Sequence, residues 1–302
     1  MTTDGIVLLD KPVGITSNAA LSRLKRKLSL RKAGHTGTLD PMASGLLVAC
    51  LGQATRVAAY LLDADKTYQA SVHLGLVTDS EDAEGEIIGR HEVPALDRAA
   101  VEAELAQFSG RIEQVPPMHS ALKHQGRRLY ELARAGQQVE RPARRVVIHE
   151  IELTDFQPPV LSLHVRCSKG TYIRALARDI GEVLGCGAHL SALRRVASEP
   201  FHVADAVSLE ALDRMPAEAV QARVLPADRA LPHLPAIELS VEPARRVLQG
   251  QKLSDLDTAQ KGLVRLYAAG QFLGIGELDG AGHLRPVRLF PIPLGPGGPG
   301  RQ

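Results

Sequence analysis

Three features of the sequence predict an α+β fold with a small β-rich module at its C-terminal end. Residues 66–76 alternate apolar and polar side chains, and residues 173–184 carry an apolar stripe at helical spacing. The predicted strands and helices are mixed without regular βαβ order, which favours an α+β core over a doubly wound sheet. A cluster of prolines between residues 226 and 235 marks a boundary before the C-terminal strands.

Short apolar runs and helical patterns alternate in the first half of the chain. Thr16, Ser17 and Asn18 are candidate N-caps for a helix that continues to about residue 28. The other elements predicted here are strands at 5–9 and 45–51 and helices at 54–62 and 96–108.

The second half of the chain is richer in strands. Residues 146–153 and 160–167 are predicted strands, and residues 188–196 return as a strand or an extended segment. Beyond the prolines the sequence predicts a helix at 241–249 and short strands at 263–268, 272–278 and 284–289. The Pro/Gly-rich residues 294–302 are predicted to form a disordered tail.

The charge distribution says more than the net charge. The chain has 302 residues, 44% hydrophobic and 23% charged, which is ordinary for a globular protein, and its net charge of +2 does not by itself indicate nucleic acid. Six basic residues and no acid lie in 22–32, and seven basic residues lie in 123–145 against two acids. Five acids in 79–86 offset them. Two such segments favour a one-sided surface for a polyanion, although a solvated helix face explains either segment alone about as well.

The cysteines and the N-terminal residues exclude several classes of protein. Cys50, Cys167 and Cys186 show no Cys-x-x-Cys spacing, so the sequence indicates neither a disulfide framework nor a zinc site. The N-terminal residues lack a basic region followed by an apolar one, and no apolar run approaches the roughly 18 residues of a membrane span. We therefore expect a cytoplasmic protein that does not bind membranes.

The most informative segment is residues 34–47, which read Gly-His-Thr-Gly-Thr-Leu-Asp-Pro-Met-Ala-Ser-Gly-Leu-Leu. Its single carboxylate, Asp40, lies where glycines and a proline rule out a continuous helix or strand. A loop braced by a buried strand is where catalytic groups are often found. Taken on the residues alone, an Asx-turn, in which Asp40 only bonds its own backbone, is the better explanation.

This segment resembles the signature loop of the TruB family of tRNA pseudouridine synthases, with the nucleophilic aspartate at Asp40. Five further segments resemble family motifs in the same order: 10–17, 66–68, 116–136, 168–176 and 190–195. One departure is His119, where some members would have an aromatic residue such as tyrosine.

The resemblance implies a fold and a division into domains. It implies a pseudouridine synthase core with a mixed, mainly antiparallel sheet flanked by helices. This catalytic domain would span residues 1–230, with an RNA-binding insertion at about 110–145. A PUA-like RNA-binding domain would follow at 235–293.

The resemblance also implies residue roles. Asp40, Arg174 and Tyr68 would be catalytic. Six residues would bind the substrate: His35 in the gap left by the flipped base, Tyr172 and Leu193 in the base pocket, Lys11, and Arg127 and Arg128 in the insertion. Without the motifs, Tyr172 and Leu193 would be read as core residues, Tyr68 as a core residue about as readily as a site residue, and His35 as an ordinary loop residue.

The implied reaction breaks the N-glycosidic bond of a uridine, turns the uracil and rejoins it through C5, without cofactor or metal. A carboxylate can attack either the ribose or the base, and the sequence leaves both routes open. Because burial raises the pKa of a carboxyl group, we expect a cation beside Asp40, and Arg174 is the natural partner.

The implied substrate is uridine 55 in the T-arm of tRNA, and we expect a monomer. Two other classes remain open on the residues. A nucleotidyl-transfer enzyme is weakly indicated by His-Thr-Gly-Thr at 35–38, but no phosphate-binding Gly-x-x-x-x-Gly-Lys-Ser/Thr loop accompanies it. A non-catalytic RNA-binding protein would use the same basic segments, but it gives no reason for Asp40 together with Arg174.

Overall fold

The computed structural model describes residues 3–120 and 122–291. The predicted tail at 294–302 lies outside the described residues. Eighteen strands and eight α-helices form within the described residues. The strands are β1 (Gly5–Lys11), β2 (Ala33–His35), β3 (Ala43–Leu51), β4 (Lys66–Leu74), β5 (Leu76–Thr78), β6 (Ile87–Arg90), β7 (Gly110–Gln114), β8 (Lys123–His124), β9 (Arg127–Arg128), β10 (Arg144–Gln157), β11 (Val160–Cys167), β12 (Ala188–Ser198), β13 (Phe201–His202), β14 (Val207–Ser208), β15 (Ala236–Glu238), β16 (Lys261–Ala268), β17 (Gln271–Asp279) and β18 (Leu284–Leu289). The helices are α1 (Ser17–Lys27), α2 (Ala58–Leu62), α3 (Arg98–Leu105), α4 (Leu129–Arg134), α5 (Ile173–Val183), α6 (Leu209–Arg214), α7 (Ala217–Gln221) and α8 (Val241–Leu248).

One large sheet forms the centre of the molecule. Its strands follow the order β14-β1-β3-β12-β4-β11-β10-β7, with β2 paired to β3 and β13 paired to β12. The β1–β14 and β3–β12 pairs are parallel, and the other pairs of described strands in this sheet are antiparallel. The α+β class predicted from the sequence pattern is confirmed, and so is the mixed, mainly antiparallel sheet that the family resemblance implies.

Helices cover parts of this sheet and bury its apolar side chains. Helix α5 packs Leu176 and Ile180 into a cluster with Val72 of β4 and Leu163 of β11. Helix α1 packs Leu24 and its neighbours against β1 and β3 in a second cluster. The neighbouring strands β3, β12 and β4 are therefore held at the middle of a well-packed core, and they carry or flank the predicted site.

The C-terminal residues form a separate four-stranded sheet in the order β15-β16-β17-β18. Its own apolar cluster includes Val247 of α8, Leu266 and Leu273. Two further residues of this sheet region, Ile275 and Phe290, pack into a cluster with residues of β1 and β3. The β-rich module therefore has an interior of its own and also rests on the main sheet.

The predicted elements differ from the structure mainly at their ends. The predicted strand 66–76 is interrupted after Leu74, because Gly75 takes a left-handed φ of +80°. The predicted helix 54–62 is a 3₁₀ turn at Gly52–Arg56 followed by α2. The segment 146–153 belongs to a longer strand, β10, that extends past it at both ends.

Candidate active site

The loop that carries Asp40 is fixed by the start of α1. The Ser17 hydroxyl donates to the carbonyl oxygen of Leu39 at 3.0 Å and accepts from the Leu39 N–H at 2.8 Å. Ser17 occupies the first position of α1, whose N-cap Thr16 accepts from the N–H of Ala19. One buried side chain thus binds both polar backbone atoms of the residue before Asp40. This fixes the backbone position from which the Asp40 side chain extends.

The other side of the loop is held by Lys11 and Gly14. The ammonium of Lys11 donates to the carbonyl oxygens of Pro12 and Ile15 at 2.9 and 2.8 Å, and it lies 3.5 Å from that of Pro41. The N–H of Gly14 also donates to Pro41 O, at 2.8 Å. The segment 10–17 therefore works as a cradle for the residues on both sides of Asp40.

A buried arginine of β12 supports the loop from beneath. Arg195 is 2% exposed and donates to the carbonyl oxygens of Leu46, at 2.7 Å, and Gly37, at 3.0 Å. Gly45 pairs with Arg195 across β3 and β12, and a Cβ at Gly45 would lie 2.2 Å from the Arg195 carbonyl oxygen. Glycine is therefore required at position 45 by close approach of the two backbones as well as by its φ of +101°.

Arg174, at the start of α5, lies between two carboxylates. Its Nε is 3.1 Å from Asp40 Oδ2 and its Nη1 is 3.4 Å from Asp82 Oδ2. Nη1 also donates to Ser80 O at 3.1 Å, and Nη2 donates to His119 O at 2.7 Å. The side chains of Arg174 and Asp82 are 6% and 5% exposed, whereas that of Asp40 is 38% exposed. Asp40 is thus the member of this group that a substrate can reach.

The surroundings of Asp40 act on its ionisation in opposite directions. Burial raises the pKa of Asp40 above its usual value, and the negative charge of Asp82 raises it further. The cations of Arg174 and Lys11 oppose this rise in pKa. Arg174 therefore favours the ionised form of Asp40 against the effect of burial and holds the carboxylate in one direction, as a carboxylate nucleophile requires.

Tyr68 and His35 lie close to the same buried arginine. Tyr68, in β4, is the register partner of Arg195 and is 9% exposed. Burial raises the pKa of the Tyr68 phenol, with Arg195 opposing the rise, so the phenol stays protonated at neutral pH. His35 lies in β2, paired with Ala49, rather than in a loop. Burial, and then the charge of Arg195, lower the pKa of His35, which favours a neutral imidazole.

Tyr172 and Leu193 lie on elements that meet at the site. Tyr172 is the N-cap residue of α5, and its backbone N–H and carbonyl are both bonded by the Gln114 side chain, at 2.8 and 3.0 Å. Leu193 is half-buried in β12 and is the register partner of Ala43, three residues after Asp40. Their predicted contacts with a base remain predictions.

Three predicted substrate-binding residues have clear structural surroundings. Lys11 is fully buried with its ammonium turned to backbone carbonyls, so the structure gives it a place in holding the loop. Arg127 and Arg128 are exposed on the β8–β9 hairpin, outside the Asp40 group. Arg128 lies over the Tyr130 ring, with its guanidinium carbon 5.8 Å from the ring centroid. The hairpin connects to the site through the segment that ends at His119, whose carbonyl Arg174 binds.

Two residues of the site are not predicted by the sequence. Asp82 is there only one of five acids at 79–86, yet in the structure it is the second anion on Arg174. In the sequence, Arg195 is only the last residue of the motif at 190–195, and nothing indicates that it holds the loop. In the sequence Asp82 looks like one more exposed acid in an acidic segment. Only its pairing with Arg174 distinguishes it as a buried carboxylate.

No cluster of three or more metal-ligating side chains is found among the described residues, and no described helix is long and apolar enough to cross a membrane.

The fold is that of a pseudouridine synthase. The chain superposes on a chain of the solved Cbf5–Nop10–Gar1 complex with a TM-score of 0.70, 28% identity and coverage of 92% of this chain and 79% of that chain. A solved H/ACA RNP bound to a substrate RNA containing 2'-deoxyuridine gives a TM-score of 0.72, at 25% identity over 97% of this chain and 86% of that chain.

The chain belongs to the TruB family of pseudouridylate synthases. The N-terminal domain of that family matches residues 25–173, and two C-terminal domain families match residues 174–232 (tRNA pseudouridylate synthase B) and 235–290 (pseudouridine synthase II TruB). The tRNA pseudouridine synthase B of Chromohalobacter salexigens is 53% identical over 95% of this chain and 94% of its own length. That of Azoarcus sp. is 52% identical over 97% and 96%.

Proposed function

We propose that this protein is a tRNA pseudouridine synthase that isomerises uridine 55 in the T-arm of tRNA. The observation that carries the proposal is the ion pair of Asp40 with Arg174 on a loop braced by Ser17 and Lys11. Relatives about half identical over nearly the whole chain are named tRNA pseudouridine synthase B, which supports this substrate.

Asp40 is the nucleophile of the proposed reaction. The target uridine lies within a folded RNA, so it must leave its stack before Asp40 can reach it, and the enzyme offsets the cost of unstacking by contacts to the flipped base. We assign Tyr68, Tyr172 and Leu193 to these contacts, and His35 to the gap that the base leaves. The isomerisation gains and loses no atom, so it consumes no co-substrate.

Arg174 has two tasks in this scheme. It lowers the pKa of Asp40 against the effect of burial, and its Nε, held in place by the contacts of the two terminal nitrogens, fixes the carboxylate's direction. Lys11 contributes by holding Pro41 and by its positive charge, which makes it a positioning residue for the loop.

The remainder of the chain supplies affinity for RNA. The segment at about 110–145 carries Arg127 and Arg128 on an exposed hairpin, and we assign to them contacts with phosphates and 2'-hydroxyls, which their exposure supports. We assign residues 1–230 to the catalytic domain and 235–293 to a PUA-like RNA-binding domain. The proposed enzyme is a cytoplasmic monomer.

One assay separates this function from its alternatives. Purified protein is incubated with unmodified tRNA transcript, without ATP or metal, and pseudouridine is then mapped by position. Pseudouridine at position 55 supports the proposal. RNA binding without any pseudouridine would instead identify a binding protein, and transfer of a nucleotide only in a parallel reaction that contains ATP would identify a nucleotidyl-transfer enzyme.

A further inference from the structure

A second arginine lies one helical turn beyond Arg174 on α5. The Nη1 atom of Arg178 is 2.6 Å from Glu81 Oε1, and its Nη2 donates to the carbonyl oxygen of Val115 at 3.2 Å. Its Nε and Nη2 also contact the neighbouring Asp179, at 2.9 and 2.6 Å. Because residues four apart lie on one face of a helix, the two arginines face the same side of α5.

Both arginines hold the same two segments of chain. In the segment that follows β5, Arg174 binds Ser80 O and Asp82, while Arg178 binds the residue between them, Glu81. In the segment that follows β7, Arg174 binds His119 O and Arg178 binds Val115 O. Arg178 therefore contacts neither Asp40 nor Asp82 directly, yet it fixes the two segments whose atoms orient Arg174.

The backbone at Glu81 needs such support. Glu81 has a φ of +64°, a conformation that residues with a Cβ rarely adopt without external contacts. Its N–H donates to Thr78 O at 3.2 Å and its carbonyl accepts from Leu190 N–H at 3.0 Å. This turn directs Asp82 inward to Arg174, with Ser80 Oγ donating to Asp82 Oδ1 at 2.6 Å.

The ion pair is enclosed rather than lying on the surface. The side chains of Arg178 and Glu81 are 21% and 12% exposed. Burial raises the pKa of Glu81, and the charge of Arg178 is the main influence that opposes the rise. The positive charge of Arg178 therefore favours the ionised form of Glu81.

We infer that Arg178 and Glu81 are a positioning pair for the reaction given under Proposed function, on which this inference rests. The pair locks the 80–82 turn and the 115–119 segment to α5. Arg174 then keeps the direction in which its Nε meets Asp40. Neither residue of the pair is catalytic, since each acts through Arg174.

The test uses the full-length protein with three variants: Arg178→Lys, Arg178→Gln and Glu81→Gln. Lysine keeps a charge beside Glu81 but cannot also reach Val115, and glutamine loses the charge. We expect the single-turnover rate at saturating T-arm RNA to fall in the order wild type, Arg178→Lys, Arg178→Gln. The full loss should be roughly 10- to 100-fold, as for misplacement of a catalytic group, with little change in RNA affinity.

A pH profile distinguishes positioning from a purely structural role. If Arg174 loses its alignment, the pKa of Asp40 is lowered less, so the acid limb of the rate profile should move to higher pH in all three variants. The matched controls are Arg98→Lys and Glu102→Gln. Arg98 also joins a carboxylate, Glu102, to a backbone carbonyl, that of Leu153, but on α3. The controls should leave rate and profile unchanged.

Each possible result either supports or overturns the positioning role of Arg178 and Glu81. Lower thermal stability with an unchanged single-turnover rate and acid limb would overturn the inference, because the pair would then serve folding alone. If Arg178→Gln does not fold, Arg178→Lys and Glu81→Gln give the same comparison with smaller changes. An inactive wild-type protein would refute the proposed function itself, whereas an active wild type with unaltered variants would refute only the positioning pair.

Discussion

The guanidinium of Arg174 meets the carboxylate of Asp40 through Nε, 3.1 Å from Oδ2, while its two terminal nitrogens bind other groups. Arg174 is therefore anchored independently of Asp40 and does not need the ion pair to keep its place. Because Asp40 is the more exposed partner, it can change its contacts during a reaction while the arginine stays fixed. This is the preorganisation that electrostatic catalysis requires.

Asp40→Asn should bind tRNA as the wild type does and lose turnover by at least about 10³-fold, since an amide cannot act as the nucleophile. Pseudouridine formation and tRNA binding are measured on the same preparation, with circular dichroism as the control for folding. Turnover within about tenfold of wild type would contradict a nucleophilic role for Asp40.

Arg174→Lys should be strongly impaired, by about 100-fold or more in single-turnover rate. One ammonium cannot reach both carboxylates and both carbonyls that the guanidinium now binds. The matched control is Arg166→Lys on β11, because Arg166 also lies between two carboxylates, Asp65 and Glu150, but on the surface. Equal activities of the two variants would exclude a special role for the planar group of Arg174.

The pH dependence of the chemical step follows from the raised pKa of Asp40. The reactive form is the carboxylate, so the rate should fall as the pH drops through the folded-state pKa, and this limb should lie above the ordinary value for aspartate. Replacing Arg174 by methionine removes the main influence that lowers the pKa, so the limb should move upward. Single-turnover rates between about pH 4 and 8 test both statements. A limb at or below the ordinary aspartate value would contradict the first.

Charge reversal at Arg127 and Arg128 should weaken tRNA binding and flatten its dependence on salt. For every phosphate that the hairpin no longer neutralises, the slope of log affinity against log salt should become shallower by about 0.7 to 0.9. The rate in saturated complexes should change little, because neither residue is part of the Asp40 group. Arg98→Glu combined with Arg214→Glu, at exposed arginines of α3 and α6, is the control for the same change in net charge. A slope equal to that of the control would argue against phosphate binding by the hairpin.

Truncation after Pro232 tests the proposed division into domains. The described part of the main sheet draws no strand from beyond residue 208, so the fragment should fold and modify T-arm RNA at saturation with a raised KM. Its unfolding temperature should fall, because Ile275 and Phe290 no longer cover apolar side chains of β1 and β3. An insoluble fragment would show that the C-terminal module is required for the core to fold.

The sequence predicts the parts of the fold that depend on local periodicity. The stripe of α5 and the alternation of β4 indicate the helix and strand that carry Arg174 and Tyr68. Short elements such as β5 and β8 are not predicted, because two or three residues carry too little pattern and their pairing is set by tertiary contacts. The mixed, mainly antiparallel sheet was expected from the family resemblance and from nothing in the local sequence.

The sequence predicts a contact in the site where the chemistry of one side chain requires a partner of a particular charge. The contact between Asp40 and Arg174 is expected, since a buried carboxylate needs a cation, and it is present. The catalytic roles of both residues remain predictions. Asp82 is not predicted, because an acidic segment looks solvated until the buried arginine that pairs with it is known. The inward turn of Lys11 is not predicted either, because it depends on the fold of the 12–15 turn and on the distant carbonyl of Pro41.

The position of the Lys11 ammonium has a consequence for the ionic conditions in which the loop is ordered. Carbonyl oxygens of Pro12, Ile15 and Pro41 converge on it as they would on a potassium ion held in a carbonyl cage. Here the cation is covalently attached to the chain, so no free ion has to be recruited below the pKa of Lys11, which burial lowers to about 8. The geometry around Asp40 should therefore be indifferent to which monovalent cation the medium supplies, even where the binding of RNA is strongly sensitive to salt.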